Sequence, residues 1–321
     1  MRRVAISFLA TAVLCSAVQA QSLGKVYRLG VLAQAENSLR SVRSFVLPEL
    51  AKLGFAEGTN LVTDLRTGDV NALPQIAREM MSQGPDAILT IATPSGRAAR
   101  QATSTVPIVH FGGEDAVSEG LVQSVSRPGG NITGVVILSK TLDAKRLELL
   151  VEAVPAMRRI AILLYPFSPI VVEEKQQFRA AAASAGVEAI FFQATGPDEF
   201  PAAFAAMKAA GAQGVIIGAN PTFFAHTETL MALALQAQLP TACEWASMAR
   251  QGCLIGYGPD RAKLYQVAAR QLVQVLQGVR PEKVPVEQPA IFELALRQRT
   301  ARALTLDIPP ALLARADEVV E

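Results

Sequence analysis

Short polar groups gather where apolar runs of this chain end. Gln34 and Glu36 follow the run at 29–33, Thr93-Pro94-Ser95-Gly96 follows 87–92, and Gly112-Gly113-Glu114-Asp115 follows 108–111. Tyr165-Pro166-Phe167-Ser168, Gly218-Ala219-Asn220-Pro221 and Glu244-Trp245 occupy equivalent strand ends in the second half. The chemistry they suit is holding a small molecule. A Thr or Ser that can cap, with Pro in the first turn, leaves helix N–H groups free for a carboxylate; an ordinary helix cap is the plain alternative. Two glycines permit close backbone approach, and Asp115 beside them could meet an ammonium group, with a solvated cap as the alternative for Glu114. Trp245, the one Trp in the chain, offers a large contact area at low entropic cost, and packing beneath a sheet would use it equally well. Tyr257, set between Gly256 and Gly258-Pro259, stands where the chain is expected to recross between halves.

Bond-breaking chemistry finds no support. There is no Gly-x-Ser-x-Gly elbow, no phosphate loop ending in Gly-Lys-Ser/Thr, and no Gly-x-Gly-x-x-Gly after the first strand. The two histidines, His110 and His226, lie far apart and read as a strand residue and an early helix residue. No Cys/His spacing resembles a metal site, and neither a metal nor a cofactor is expected.

The elements that must position these groups alternate. Apolar runs at 29–33, 87–92, 108–111, 132–138, 160–164, 187–192, 215–218 and 254–257 are separated by helical patterns at 38–53, 73–83, 95–103, 142–154, 171–185, 201–210, 222–238 and 261–276. Continuous apolar strands of this kind are buried on both faces. The fold class is therefore α/β: two doubly wound parallel-sheet lobes joined by a multi-strand hinge. In such sheets ligands bind beyond the carboxyl ends of the strands. The expected lobes are 21–138 with 257–288, and 139–256 with 289–321. Their three crossings fall near 138–143, near Tyr257 and within 281–289. Pro48 falls inside the first helix and should kink or shorten it.

Residues 1–20 read as a cleaved secretion signal: Arg2 and Arg3, an apolar stretch at 4–14, and the small-residue exit Ala17-Val-Gln-Ala20. A lipid-anchored Cys15 is disfavoured by Leu14 before it. A membrane anchor is disfavoured because the run is far shorter than the about 20 residues a span needs. The expected location is periplasmic. Without the leader the chain holds equal numbers of basic and acidic residues, 28 of each, so nucleic acid and anionic membrane surfaces are unpromising partners. Cys243 and Cys253 could pair in an oxidising compartment or serve as small core residues; both readings stand.

Several segments carry a resemblance. Arg127-Pro-Gly-Gly-Asn-Ile-Thr-Gly134, Tyr257-Gly-Pro-Asp260, Val286-Glu-Gln-Pro289 and the ending Ile308-Pro-Pro-Ala-Leu-Leu-Ala-Arg-Ala-Asp-Glu318 together resemble the ABC transporter substrate-binding family that includes aromatic amino acid receptors. The resemblance covers nearly the whole mature chain and implies a type I periplasmic binding fold. It points to Thr93-Pro94-Ser95 for a ligand carboxylate, to Asp115 for a ligand amine, and to Tyr257 on the hinge side. Two departures touch the ligand: Ala116 stands where relatives have Pro, and Ala246-Ser247 where an Arg-Glu pair is expected. The implied role is a monomeric receptor that closes over a small organic solute and delivers it to an ABC permease in the inner membrane. The ligand-binding set is Gln34, Glu36, Thr93, Pro94, Ser95, Asp115, Tyr165, Ser168, Asn220, Trp245 and Tyr257. Phe167, Phe223 and Trp245 are wall candidates that could equally be core. The rival readings are a periplasmic sensor subunit for a membrane signalling protein and an exported α/β hydrolase.

Overall fold

The alternation of apolar runs and helical segments folds into two parallel-dominated sheets. A computed structural model describes residues 25–113, 116–138, 142–168 and 171–321. In the first half, β1 (Tyr27–Ala33), α1 (Glu36–Ser41), α2 (Leu47–Lys52), β2 (Leu61–Thr67), α3 (Leu73–Met81), β3 (Ala87–Ile91), α4 (Thr93–Ala102), β4 (Ile108–Phe111) and β5 (Ile132–Val135) follow one another. The strands make a five-stranded sheet in the order β2-β1-β3-β4-β5, all parallel. The second half runs α5 (Asp143–Ala153), β6 (Arg159–Leu164), α6 (Val171–Ser184), β7 (Glu188–Gln193), α7 (Phe200–Ala209), β8 (Val215–Ile217), α8 (Pro221–Ala225), α9 (Thr227–Ala237), β9 (Thr241–Cys243), α10 (Ala246–Arg250) and β10 (Ile255–Pro259). The chain ends with α11 (Arg261–Leu276), β11 (Phe292–Arg297), α12 (Gln298–Ala303), α13 (Pro310–Leu313) and β12 (Glu318–Val320). Here the sheet is seven-stranded, β12-β11-β10-β9-β8-β6-β7, with β10 and β11 the one antiparallel pair.

Each sheet is covered on both faces, as parallel crossovers require. One face of the smaller sheet packs Leu29, Val31, Leu89 and Val109 against Leu264, Ala268 and Leu272 of α11; the other packs Leu32, Ile88 and Ile108 against α3 and α4. Thus α11 follows β10 of the larger sheet in sequence but is buried on the smaller one. In the larger sheet, Ile160, Ile162, Leu254 and Leu296 face Leu150 and Phe178, while Ala161, Leu163 and Val215 face Phe204, Met207 and Leu230.

The chain passes between sheets three times. One passage follows β5; its residues 139–141 lie outside the described ones. The second lies at Asp260, because Tyr257 and its neighbours through Pro259 pair with β11 in the larger sheet. The third runs through 288–291, after Glu287 has bridged in parallel to Val135. Buried Gln271 of α11 ties that strap down, donating to Gly134 O (3.1 Å) and Pro285 O (3.2 Å). Three of the segments that carried the family resemblance are therefore hinge-building segments, whereas 308–318 runs through α13 to β12 at the edge of the larger sheet. On the larger-sheet side the fully buried Arg146 fastens the corner: it donates to Asp143 Oδ1 (2.7 Å), Tyr257 O (2.8 Å) and Glu244 O (3.2 Å).

Four strands escape the apolar-run reading, the three-residue β9, Thr-Ala-Cys, among them. β2, Leu-Val-Thr-Asp-Leu-Arg-Thr, is a half-exposed edge strand, and Asp64 and Arg66 pair with each other on it (2.9 Å). β11 and β12 lie at the opposite edge of the larger sheet and mix charged with apolar residues. Pro48 acts as expected from its missing N–H and its clash with the preceding turn: α1 widens into a π-helical stretch, Val42–Val46, before α2 begins. Cys243 and Cys253 are bonded, with Cα atoms 6.5 Å apart, and clamp the segment that carries Trp245 and α10.

Two measurements check this packing. Gly134 has φ +151°, and a Cβ there would overlap the carbonyl oxygen of His110 on β4. Gly134→Ala should cost about 3 kcal/mol and lower Tm by several degrees; an unchanged Tm contradicts the close approach of β4 and β5. For the disulfide, sequence separation 10 gives a loop-closure term of about 3 kcal/mol, so the Cys243→Ser, Cys253→Ser pair should unfold at clearly lower denaturant. Equal midpoints would show that the clamp adds nothing.

Candidate functional site

The carboxyl ends of β1 and β3 put their loops side by side, since the two strands are neighbours. After β1 the chain turns through half-buried Gln34 into α1. Glu36 points outward and pairs with Arg43 (3.1 Å), so it contributes no inward charge. One residue on, Asn37 is 8% exposed, and both its amide nitrogen and its carbonyl oxygen lack a partner among the described residues. A buried amide left unsatisfied costs about 1–3 kcal/mol, which the fold tolerates at this one asparagine.

After β3 the chain reaches Ala92 at φ +69°, a backbone region unusual for a residue with a side chain, and opens α4 with Thr93, Pro94 and Ser95. Ser95 Oγ is fully buried and also without a partner. Thr93 Oγ1 donates to Glu119 Oε2 (2.9 Å), so a carboxylate of the protein itself sits at this helix N-terminus. Asp115 lies outside the described residues. His110, beneath this corner, is held near pKa 4 chiefly by burial, against a raising hydrogen bond with the Gly112 backbone; its Nδ1 meets Thr90 Oγ1 at 2.9 Å. It is a neutral core histidine.

On the larger-sheet side, Tyr165 follows β6 and meets Phe167 and Phe223 edge-on, at 5.8 and 6.5 Å between centroids. Ser168 closes that turn through its backbone N–H to Tyr165 O (3.3 Å). Asn220 caps α8, its Oδ1 accepting from Thr222 N (2.8 Å). Trp245 is 6% exposed and shares a cluster with Tyr165, Phe223 and Phe224. Phe223 is core, whereas Phe167 stands in solvent at 74% exposure. Tyr257 is set apart from them: it packs in the cluster formed by α5 and α6 and stacks on Phe292.

Between the lobes lies a cleft of about 450 Å³, a size suited to a metabolite. Asn37, Ser41, Ser44 and Phe45 line it from the smaller-sheet lobe, and Phe224, His226, Glu228 and Thr229 from the other. Behind Phe45 a stack of parallel rings continues through Tyr265 (5.6 Å) to Phe111 (4.1 Å). Burial pushes the Tyr265 phenol up, partly offset by Arg261 and Ser41 beside it. Arg261 itself is the residue missed from sequence. Its guanidinium lies 4.5 Å from the Phe224 ring, 5.4 Å from Trp245 and 6.0 Å from Phe45, and donates to Ser41 Oγ (2.7 Å) and Ser247 Oγ (3.4 Å). The available signal was a cation at the first position of a helix with no acidic residue in its first turn, a placement the helix dipole opposes.

If Asn37 is kept for a ligand at the expense of the fold, Asn37→Leu should raise Tm by the equivalent of about 1 kcal/mol. A lowered Tm would show that the amide is satisfied in solution.

Residues 31–320 match the family described as ABC transporter substrate binding protein. A tyrosine-binding protein of Clostridioides difficile strain R20291 is 25% identical over 297 residues, spanning 88% of this chain and 82% of that protein. Among solved structures, a conserved domain protein of Vibrio cholerae O1 biovar El Tor is 27% identical with TM-score 0.85, covering 92% of this chain and all of the other. An ABC domain from Streptococcus pneumoniae in complex with L-Trp superposes at TM-score 0.83 with 22% identity, again over 92% of this chain and 100% of that one. With its two lobes, its three-segment hinge and a match along almost its whole length, the chain belongs to the ABC transporter substrate-binding protein family.

Proposed function

We propose that this protein is the extracytoplasmic receptor of an ABC uptake system, closing two lobes over a small organic solute of the amino acid or aromatic carboxylate class. The observation that carries the reading is the inter-lobe cleft itself: one lobe supplies the unpartnered Asn37 amide and Phe45, the other supplies Phe224, and Arg261 lies against both rings while bonding Ser41 of the lining. Relatives named for tyrosine binding and crystallised with L-Trp support an aromatic amino acid or a near analogue. The family is one of solute-binding proteins rather than enzymes, and its members work outside the cytosol with a membrane permease. No helix among the described residues is long and apolar enough to cross a membrane.

In this reading residues 1–20 are the export signal and the mature protein is a monomer. The moving bodies are the two expected lobes, with 257–259 carried by the larger-sheet body because β10 pairs there with β11. Thr93, Pro94, Ser95, Asp115, Asn220 and Trp245 are the proposed ligand contacts of the closed form. Closure is the signal the permease reads, because a solute shifts the open–closed balance only as far as it binds the closed form better.

A thermal-shift panel of L-tyrosine, L-tryptophan, L-phenylalanine, phenylacetate, phenylacetamide and adenosine tests it. A binder at a hundred times its Kd stabilises by about 2.7 kcal/mol, which a melting curve resolves. A saturable rise for one chemical class is expected. No rise for any class, or chemical turnover of a bound compound, overturns the reading.

A further inference from the structure

Among the described residues Arg261 has hydrogen bonds only to neutral groups: the serines 41 and 247 and the phenol of Tyr265 take three of its interactions, and no carboxylate lies within ion-pair distance. A guanidinium presents five N–H donors in a plane, so part of the fork stays free. Its ring neighbours come from both lobes, so it sits across the lobe junction rather than on one wall. A half-buried cation placed there is stabilised by a carboxylate that brings flat apolar surface with it.

The other anion site favoured by sequence is the N-terminus of α4, and there Glu119 already accepts from Thr93. A second carboxylate at that corner would meet a like charge, which disfavours it, whereas at Arg261 it would meet an opposite one. Asn37 supplies the independent mark of a ligand: its amide is more than nine-tenths buried, lines the cleft together with the Ser41 that Arg261 bonds, and has neither donor nor acceptor used among the described residues. It is tied to Arg261 through one residue, since Ser41 Oγ donates to Asn37 O (3.1 Å) and accepts from Arg261 Nη2.

We infer that Arg261 is the carboxylate anchor of the solute, with Asn37 binding a second polar group and Phe45 and Phe224 flanking a planar body. The inference rests on the solute-binding reading and adds to it the residue that selects the ligand's charge.

Calorimetric titration of phenylacetate, L-phenylalanine and neutral phenylacetamide into the purified wild type, Arg261→Gln and Arg261→Lys tests it, with circular dichroism as the check on folding. The wild type should bind at least one of the two carboxylates, Arg261→Gln should weaken it at least tenfold, and phenylacetamide should bind no more weakly to the variant than to the wild type. Arg261→Lys, which keeps the charge and loses the fork, should fall between and carries the comparison if the Gln variant is unfolded. Equal carboxylate affinity in wild type and variants overturns the role of Arg261 and leaves the receptor reading standing. Binding of only phenylacetamide overturns the carboxylate class alone. Absence of binding by every compound overturns both.

Discussion

A cation held between aromatic rings at the meeting of two lobes is the interaction on which the rest of this molecule turns. Arg261 opens the helix buried against the smaller sheet, yet its guanidinium faces Phe224 and Trp245 of the other lobe. That placement requires the chain to leave the larger sheet at Asp260 and to enter α11 at once, with Asp260 capping Lys263 N (3.0 Å). It also requires the strap at 284–287 to hold α11 against β5, which Gln271 and Thr133 do by bonding Gly134, Val284 and Pro285. The hinge thus does two jobs: it connects the lobes, and it delivers the charged side chain into the gap between them.

Stability and binding pull in different directions at this gap. The packed sheets satisfy their polar groups almost throughout, and the buried Arg146 shows how the fold treats an internal cation, giving it one carboxylate and two carbonyls. Arg261 and Asn37 are left incomplete by comparison. Groups that the fold leaves unsatisfied at a cleft between two bodies are groups whose partners arrive with a ligand, and they make closure over that ligand favourable.

Much of the architecture was legible in the residues because parallel strands buried on both faces read as unbroken apolar runs, as β1, β3, β4 and β6 do. Strands at or next to a sheet edge carry no such mark: Asp64 and Arg66 hide the edge strand β2, and Glu293 and Arg297 hide β11, one strand in from the edge. Strand-end reasoning put the Thr93 corner, Asn220 and Trp245 after strands, and they follow β3, β8 and β9, because those positions come directly from element order. It set Tyr257 at a lobe crossing, whereas the side chain packs beneath α5, because alternation within β10 turns it to the other face of the sheet. It missed Arg261 because the partner that fixes that side chain, Ser41, is 220 residues away. No local pattern encodes a contact of that separation.

The chain's one Trp packs behind the cleft against Arg261, almost out of contact with solvent, so its emission reports on the surroundings of that guanidinium. Selective excitation of Trp245 during titration with phenylacetate and L-phenylalanine is the most direct measurement of where the solute goes. A saturable change in its emission, with the same midpoint as calorimetric binding, is the predicted result. Binding detected by heat while Trp245 stays silent would place the solute elsewhere and contradict the account.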